Sequence, residues 1–182
     1  MLNIYRIENN NPIYGPGKRT VIWFRGCSLH CNGCINHELL NRDDSSYKTV
    51  NEVLKLITDD GVTLLGGEPL EQEALEELID KLKNRNKSII LFTGYSIKNY
   101  DDNKKRITSK CDVVISEPFI KELKDDSLYL RGSTNQIITI NSNIYNIKDF
   151  NKNNIMEIEV SSNKLKSFGR NKNLIEELLD LN

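Results

Sequence analysis

Four short apolar runs punctuate the chain, and each closes on turn residues. They are RTVIWF (19–24), GVTLLGGEPL (61–70), KSIILFTGY (87–95) and CDVVISEPF (111–119), all with the β-branched and aromatic content of buried strands. Between the first and second, YKTVNEVLKLITDD (47–60) sets Val50, Val53, Leu54 and Ile57 at helical spacing. Between the second and third, EQEALEELIDKLKNRN (71–86) does the same with Leu75, Leu78, Ile79 and Leu82. Pro69 suits the opening turn of that second helix, and the acidic residues after it complement the positive end of the helix dipole.

Strands alternating with helices predict an α/β fold, a parallel sheet covered on at least one face, with functional groups at the carboxyl ends of the strands. Three cysteines, GGEP, TGY and SEPF all fall at such ends, so four segments are expected to converge on one rim. The chain is too short for eight βα units, which take ~250 residues. A partial, open βα barrel is therefore expected. After the fourth strand, 126–147 reads as short β-strands, and 155–182 as a strand, a turn and a short terminal helix. This gives a core of residues 1–140 and a β-rich C-terminal extension, residues 141–182, packed on or beside it.

Composition narrows the class. A chain of 182 residues, 38% hydrophobic and 28% charged, has the length and balance of one globular domain. No apolar run approaches the ~18 residues of a membrane span, and the first residues lack a basic segment followed by an apolar one. The cytoplasm is the expected compartment. A net charge of -1 supplies no general attraction to nucleic acid or to an anionic membrane. Lys104, Lys105 and Arg106 sit among Asp101, Asp102 and Asp112 and read as a solvated mixed surface.

The chemistry concentrates in RGCSLHCNGCIN (25–36), which holds Cys27, Cys31 and Cys34 out of four cysteines in all. Three thiolates so close together raise one another's pKa unless a cation or cluster compensates. Two fillings meet that need. One is zinc held by the three cysteines with His30 or His37. The other is a [4Fe-4S] cluster with three cysteine-ligated irons and the fourth open, since four cysteines are the usual closed set. Structural zinc sites usually join ligand pairs from separated segments, whereas all three cysteines here come from one loop, which favours the cluster. Cys111 opens an apolar strand and reads as a buried core thiol; His30 and His37 read as exposed loop residues.

Taken in order, YGPGKRTVIWFRGCSLHCNGCIN (14–36), LLGGEPL (64–70), LFTGY (91–95) and LRGSTNQ (130–136) resemble the radical S-adenosylmethionine (SAM) superfamily. Within it they are most similar to the activating proteins of anaerobic ribonucleotide reductases. The resemblance implies that Cys27, Cys31 and Cys34 hold a [4Fe-4S] cluster whose open iron binds SAM. It implies reductive cleavage of SAM to methionine and a 5′-deoxyadenosyl radical, with no catalytic residue beyond the cluster and SAM. Gly66 and Gly67 would let backbone approach the methionine part, with Glu68 either assisting or opening the helix. Gly33 and Ile35 would lie near the adenine. Thr93, Gly94 and Tyr95 would line the pocket, Tyr95 having an equal claim as a core aromatic. Lys18 and Arg19 would contact a carboxylate or solvate the sheet edge. The implied partners are a large glycyl radical enzyme, foremost an anaerobic ribonucleotide reductase, and a flavodoxin or ferredoxin-type electron donor.

Gly33 stands where many superfamily members have an aromatic, a position at which the activators tolerate glycine. The chain departs from the activators themselves at two places. Ile35 stands where they commonly have Tyr. Ser116, Glu117, Pro118 and Phe119 replace an Asp-Gly pair followed by an aromatic, and a proline there cannot make the same turn. RGSTNQ is either an interlocked turn or a partner-facing patch. Two other functions fit the residues: a small radical SAM enzyme acting on a peptide, nucleotide or cofactor precursor, and a non-enzymatic metal-binding module.

Overall fold

RTVIWF is buried at all six positions and forms the strand around which the sheet is assembled. The computed structural model describes residues 1–152, 157–161 and 164–168. The strands among them are β1 (Leu2–Asn11), β2 (Arg19–Phe24), β3 (Tyr47–Lys48), β4 (Gly61–Gly66), β5 (Ser88–Phe92), β6 (Val113–Ser116), β7 (Ile137–Ile140), β8 (Glu157–Ser161) and β9 (Lys164–Phe168). The helices are α1 (Val50–Lys55), α2 (Leu75–Lys83) and α3 (Asp102–Ser109). One mixed sheet runs β3-β1-β2-β4-β5-β6-β7, and β8 pairs with β9.

All four expected strands are present and mutually parallel, in the order β2, β4, β5, β6. Their carboxyl ends, Phe24, Gly66, Phe92 and Ser116, therefore share one edge of the sheet. The flanks are antiparallel, β1 against β2 on one side and β7 against β6 on the other. β1 carries no apolar run that would mark it in sequence. Two of its asparagines, Asn3 and Asn11, are buried because they replace backbone partners: Asn3 Nδ2 donates to the Asp43 carbonyl at 2.8 Å, and Asn11 Oδ1 accepts from Ile13 N at 2.9 Å.

Both expected helices are shorter than their patterns. α1 starts at a capping box between Thr49 and Glu52, and α2 starts only at Leu75 because Pro69–Glu71 form a separate 3-10 turn capped by Glu68. α3 is almost wholly polar. Asp101 caps it, and Arg106 and Lys110 bind Glu76 across to α2, which makes this the mixed charged surface expected, except that Asp112 is 1% exposed and pairs with Lys83. Of 126–147, only β7 is strand. The terminal helix expected near residue 182 lies outside the described residues.

The two faces of the sheet are covered differently. Ile22, Phe24, Leu64, Leu91 and Val114 face the helices, meeting Val53, Leu78, Ile79, Leu82 and Ile107. On the other face Val21, Trp23, Leu65, Ile90, Val113 and Ile115 are covered by loop residues, among them Leu39, Tyr129, Leu130 and Phe150.

Arg19 corrects the reading of it as an edge residue. Lys18 is exposed, but Arg19 is only 1% exposed and lies on the loop-covered face. Its Nε donates to Thr63 Oγ1 at 2.8 Å, Nη1 to Tyr145 Oη at 2.6 Å, and Nη2 to the carbonyls of Val62 and Ser88 at 2.8 and 3.1 Å. Burial lowers its pKa, and these oxygens replace the water it has lost. Tyr145, which makes one of these bonds, packs edge-on against buried Phe150. Tyr145→Phe is expected to destabilise the iron-free protein by about 1.5 kcal/mol, the lower end for a hydrogen bond to a charged group, because Ser88 remains near the same nitrogen. Urea unfolding checks this, the midpoint falling with an unchanged slope.

Candidate active site at the carboxyl edge of the sheet

The cysteine loop leaves β2 under tight backbone control. Arg25 N donates to the Asn3 carbonyl at 2.9 Å, Gly26 N to the Leu39 carbonyl at 2.8 Å and Cys27 N to the Leu40 carbonyl at 2.9 Å, so the two ends of the loop are tied together. Leu39, 1% exposed, anchors the returning end in the core. From the β4 side, Gly67 N donates to the Phe24 carbonyl and Glu68 N to the Gly26 carbonyl, both at 2.8 Å. Gln72 adds a buried bridge, accepting from Asn3 N at 2.9 Å and donating to the Arg25 carbonyl at 2.8 Å.

Gly67 has no room for a side chain: a Cβ there would stand 2.4 Å from the Gly26 oxygen. The loop continues across the ends of β5 and β6. A Cβ on Gly94 would meet Leu29 at 2.5 Å, and one on Gly33 would sit against Phe119 and Lys121 at 3.4–3.6 Å. Gly67, Glu68, Thr93, Gly94, Tyr95 and Gly33 are thus gathered with the cysteine loop at one edge. Ile35, where the activators commonly have Tyr, is 50% exposed.

All three loop thiols are free and half-buried. Burial pushes the Cys27 and Cys34 thiols up, with Glu68 and Glu71 adding to the rise at Cys27 and Cys31 to that at Cys34. Soft donors held this way become thiolates when a cationic group arrives and displaces their protons. Among the described residues no three Cys, His, Asp or Glu side chains are gathered about a single point, and His30 and His37 are exposed. A cluster makes a different demand, since each cysteine binds a different iron. The donor set fits it. Cys111 is the core thiol expected, 1% exposed and pushed up to about 12 by burial.

Of the two roles open to Glu68, the structure bears on the capping one. Its Oε1 accepts from Leu70 N at 2.9 Å, capping the 3-10 turn ahead of α2, and its Oε2 accepts from Gly94 N at 2.8 Å, tying the ends of β4 and β5. Burial pushes its carboxyl up to about 7, against the hydrogen bonds from Leu70, Gly94 and Thr93. Thr93 Oγ1 accepts from Tyr95 N at 3.1 Å, and the Tyr95 hydroxyl donates to Glu71 at 2.9 Å.

Compared with known proteins, residues 13–139 match the model of a 4Fe-4S single cluster domain. The chain belongs to this 4Fe-4S single-cluster family. It is 32% identical over 152 residues to the anaerobic ribonucleoside-triphosphate reductase-activating protein of Enterobacteria phage T4, covering 78% of this chain and 96% of that protein. It is 31% identical over 150 residues to the protein of the same name from Haemophilus influenzae, covering 75% and 97%. The pyruvate formate-lyase-activating enzyme of Clostridium pasteurianum is 33% identical over 137 residues, 69% of this chain and 55% of that enzyme.

The departure from the activators after β6 is accommodated locally. Glu117 takes a φ of +82°, a left-handed conformation uncommon for a non-glycine residue. RGSTNQ is the interlocked turn that holds it: Gln136 Nε2 donates to the Glu117 carbonyl, Asn135 Nδ2 to the Pro118 carbonyl, and Ser133 Oγ accepts from Ile120 N. Pattern reading missed Glu71 and Gln72, which looked like the acidic start of a helix. Nothing in their sequence context signals that both reach back to the cysteine loop.

Two outcomes are expected. Gly67→Ala should cost about 1–3 kcal/mol in strain and reduce iron bound after anaerobic reconstitution, because the displaced neighbour is the residue before Cys27. Glu68 sets a pH dependence: the folded state binds its proton more tightly than the unfolded chain, whose carboxyl titrates near 4.5. Iron-free protein should therefore lose ~3 kcal/mol of stability as pH rises from about 4.5 to about 7, then level off. Glu68→Gln should flatten that slope in urea titrations across the range.

Proposed function

We propose that this protein is a radical SAM enzyme that installs a glycyl radical on a large anaerobic enzyme, foremost a ribonucleotide reductase. The observation that carries the reading is the placement of three free thiols, all from one loop, across the carboxyl ends of parallel strands. Cys27, Cys31 and Cys34 are assigned to three irons of a [4Fe-4S] cluster, leaving the fourth iron to SAM. When bound, the reduced cluster supplies the electron that cleaves SAM to methionine and the 5′-deoxyadenosyl radical, which takes hydrogen from the target glycine.

The residues of the chain have positioning work in this scheme. Gly66 and Gly67, which lie too close to the Phe24 and Gly26 backbone to carry a side chain, would offer backbone groups to the methionine part of SAM, and Glu68 ties the ends of β4 and β5. Thr93 and Tyr95 would line the SAM pocket, and Gly33 and Ile35 would lie near the adenine. The architecture proposed is a partial, open barrel, whose open side would admit a glycine-bearing loop of a macromolecular substrate. A flavodoxin or ferredoxin is the proposed electron donor, and the cytoplasm the proposed compartment.

The similarity to a pyruvate formate-lyase-activating enzyme supports the glycyl radical class of target and leaves a second target within it. Residues 1–140 are proposed to form the core and 141–182 an extension on or beside it. A deletion that asks what the extension does should begin after Lys152, because Tyr145 and Phe150 complete the packing around Arg19. Reconstituted with iron and sulfide under anoxia, the parent and Cys111→Ala should show the electron paramagnetic resonance of a reduced [4Fe-4S] cluster, altered on adding SAM. Cys27→Ala, Cys31→Ala and Cys34→Ala should each lose it. Parent protein with reductant, SAM and the co-occurring reductase should yield a glycyl radical signal; SAM cleavage without that signal on any co-occurring glycyl radical enzyme excludes the activase reading.

A further inference from the structure

The hydrogen bonds gathered on Glu71 have no role in the scheme above. Both of its carboxylate oxygens accept from Ser28 N, at 3.1 and 3.2 Å, and Oε1 also accepts from Ser28 Oγ at 2.6 Å and from Tyr95 Oη at 2.9 Å. Its backbone carbonyl accepts from Arg42 Nη2 at 2.9 Å. One residue of a 3-10 turn thereby joins the cysteine loop, the end of β5 and the segment that follows the loop. Helix capping does not account for it, because α2 begins four residues later at Leu75.

The position of Ser28 gives these bonds their meaning. It follows Cys27 directly, and the residues before Cys27 are already fixed by Gly67, Glu68 and Gln72. With Glu71 on Ser28, the backbone is held on both sides of this cysteine. Farther along the loop the hydrogen bonding is internal, as in Cys34 N to the Cys31 carbonyl at 3.2 Å. Hydrogen bonds to an ionised acceptor are stronger than neutral ones, so a carboxylate is suited to hold an exposed loop amide.

We propose that Glu71, braced by Tyr95, is a positioning residue for the cluster loop: it fixes the course of the backbone at Cys27–Ser28 before iron arrives, leaving Cys31 and Cys34 to close on a first ligand already in place. This rests on Cys27 being a cluster ligand.

The experiment compares parent, Glu71→Ala, Glu71→Gln, Tyr95→Phe and Cys27→Ala. In iron-free protein, Glu71→Ala should speed hydrogen exchange at the Ser28 amide about tenfold, the loss of one charge-assisted bond, with the urea midpoint little changed. Iron bound at limiting supply should fall, and the signal of the reduced cluster should change shape. Glu71→Gln, which keeps an acceptor for Ser28, should recover part of both. Tyr95→Phe should raise Ser28 exchange in the same direction and serves as the test if Glu71→Ala does not fold. Unchanged Ser28 exchange and unchanged iron loading in Glu71→Ala overturn the positioning role. Full iron content in Cys27→Ala overturns the ligand assignment instead, so the two failures are distinguishable.

Discussion

The carboxyl edge of this protein depends on β2 and β4 continuing to grip one another after both strands have ended. Within the sheet they pair in parallel from Arg19 and Gly61 to Phe24 and Gly66. Beyond it, Gly67 and Glu68 carry the pairing to the Phe24 and Gly26 carbonyls. That extension is what turns a flexible cysteine-bearing segment into a loop with one defined exit. It requires a residue without a side chain at 67. The opposite end of the same strand pair has a matching requirement, since a Cβ on Gly61 would lie 2.6 Å from the Arg19 guanidinium. Close approach at each end, of side chain below and backbone above, keeps the pair in register.

Much of the scaffold was legible in sequence for a simple reason. Parallel strands buried on both faces read as largely apolar runs, and RTVIWF, GVTLLG, SIILF and VVIS do so apart from a few polar positions, most of them at the strand ends. The glycine and cysteine motifs were legible because few other residue types do their work. β1 and α3 were not, since both are mostly polar and stand on hydrogen bonds and ion pairs to residues distant in sequence. Asn3 needs Asp43, and Arg106 needs Glu76. Arg19 was misread for a related reason. A charged residue at a strand start is ordinarily solvated, and only the fold brings Thr63, Ser88 and Tyr145 around it.

The segment after β6 illustrates how a changed turn is absorbed. Proline at 118 removes a donor and restricts its predecessor, and the backbone reversal falls on Glu117. Three side chains from 133–136 then take up the exposed backbone groups of 117–120. The cost is confined to one strained residue at the rim, and β6 keeps its register with β5 and β7.

The hydrophobic layers on the two faces of the sheet include Cys111 but none of the loop thiols. The core is thus built from side chains alone, unlike small zinc domains in which the metal takes the place of a core. A cluster bound by those thiols would therefore sit outside the packing that holds the sheet together, and its loss would take no hydrophobic contact with it.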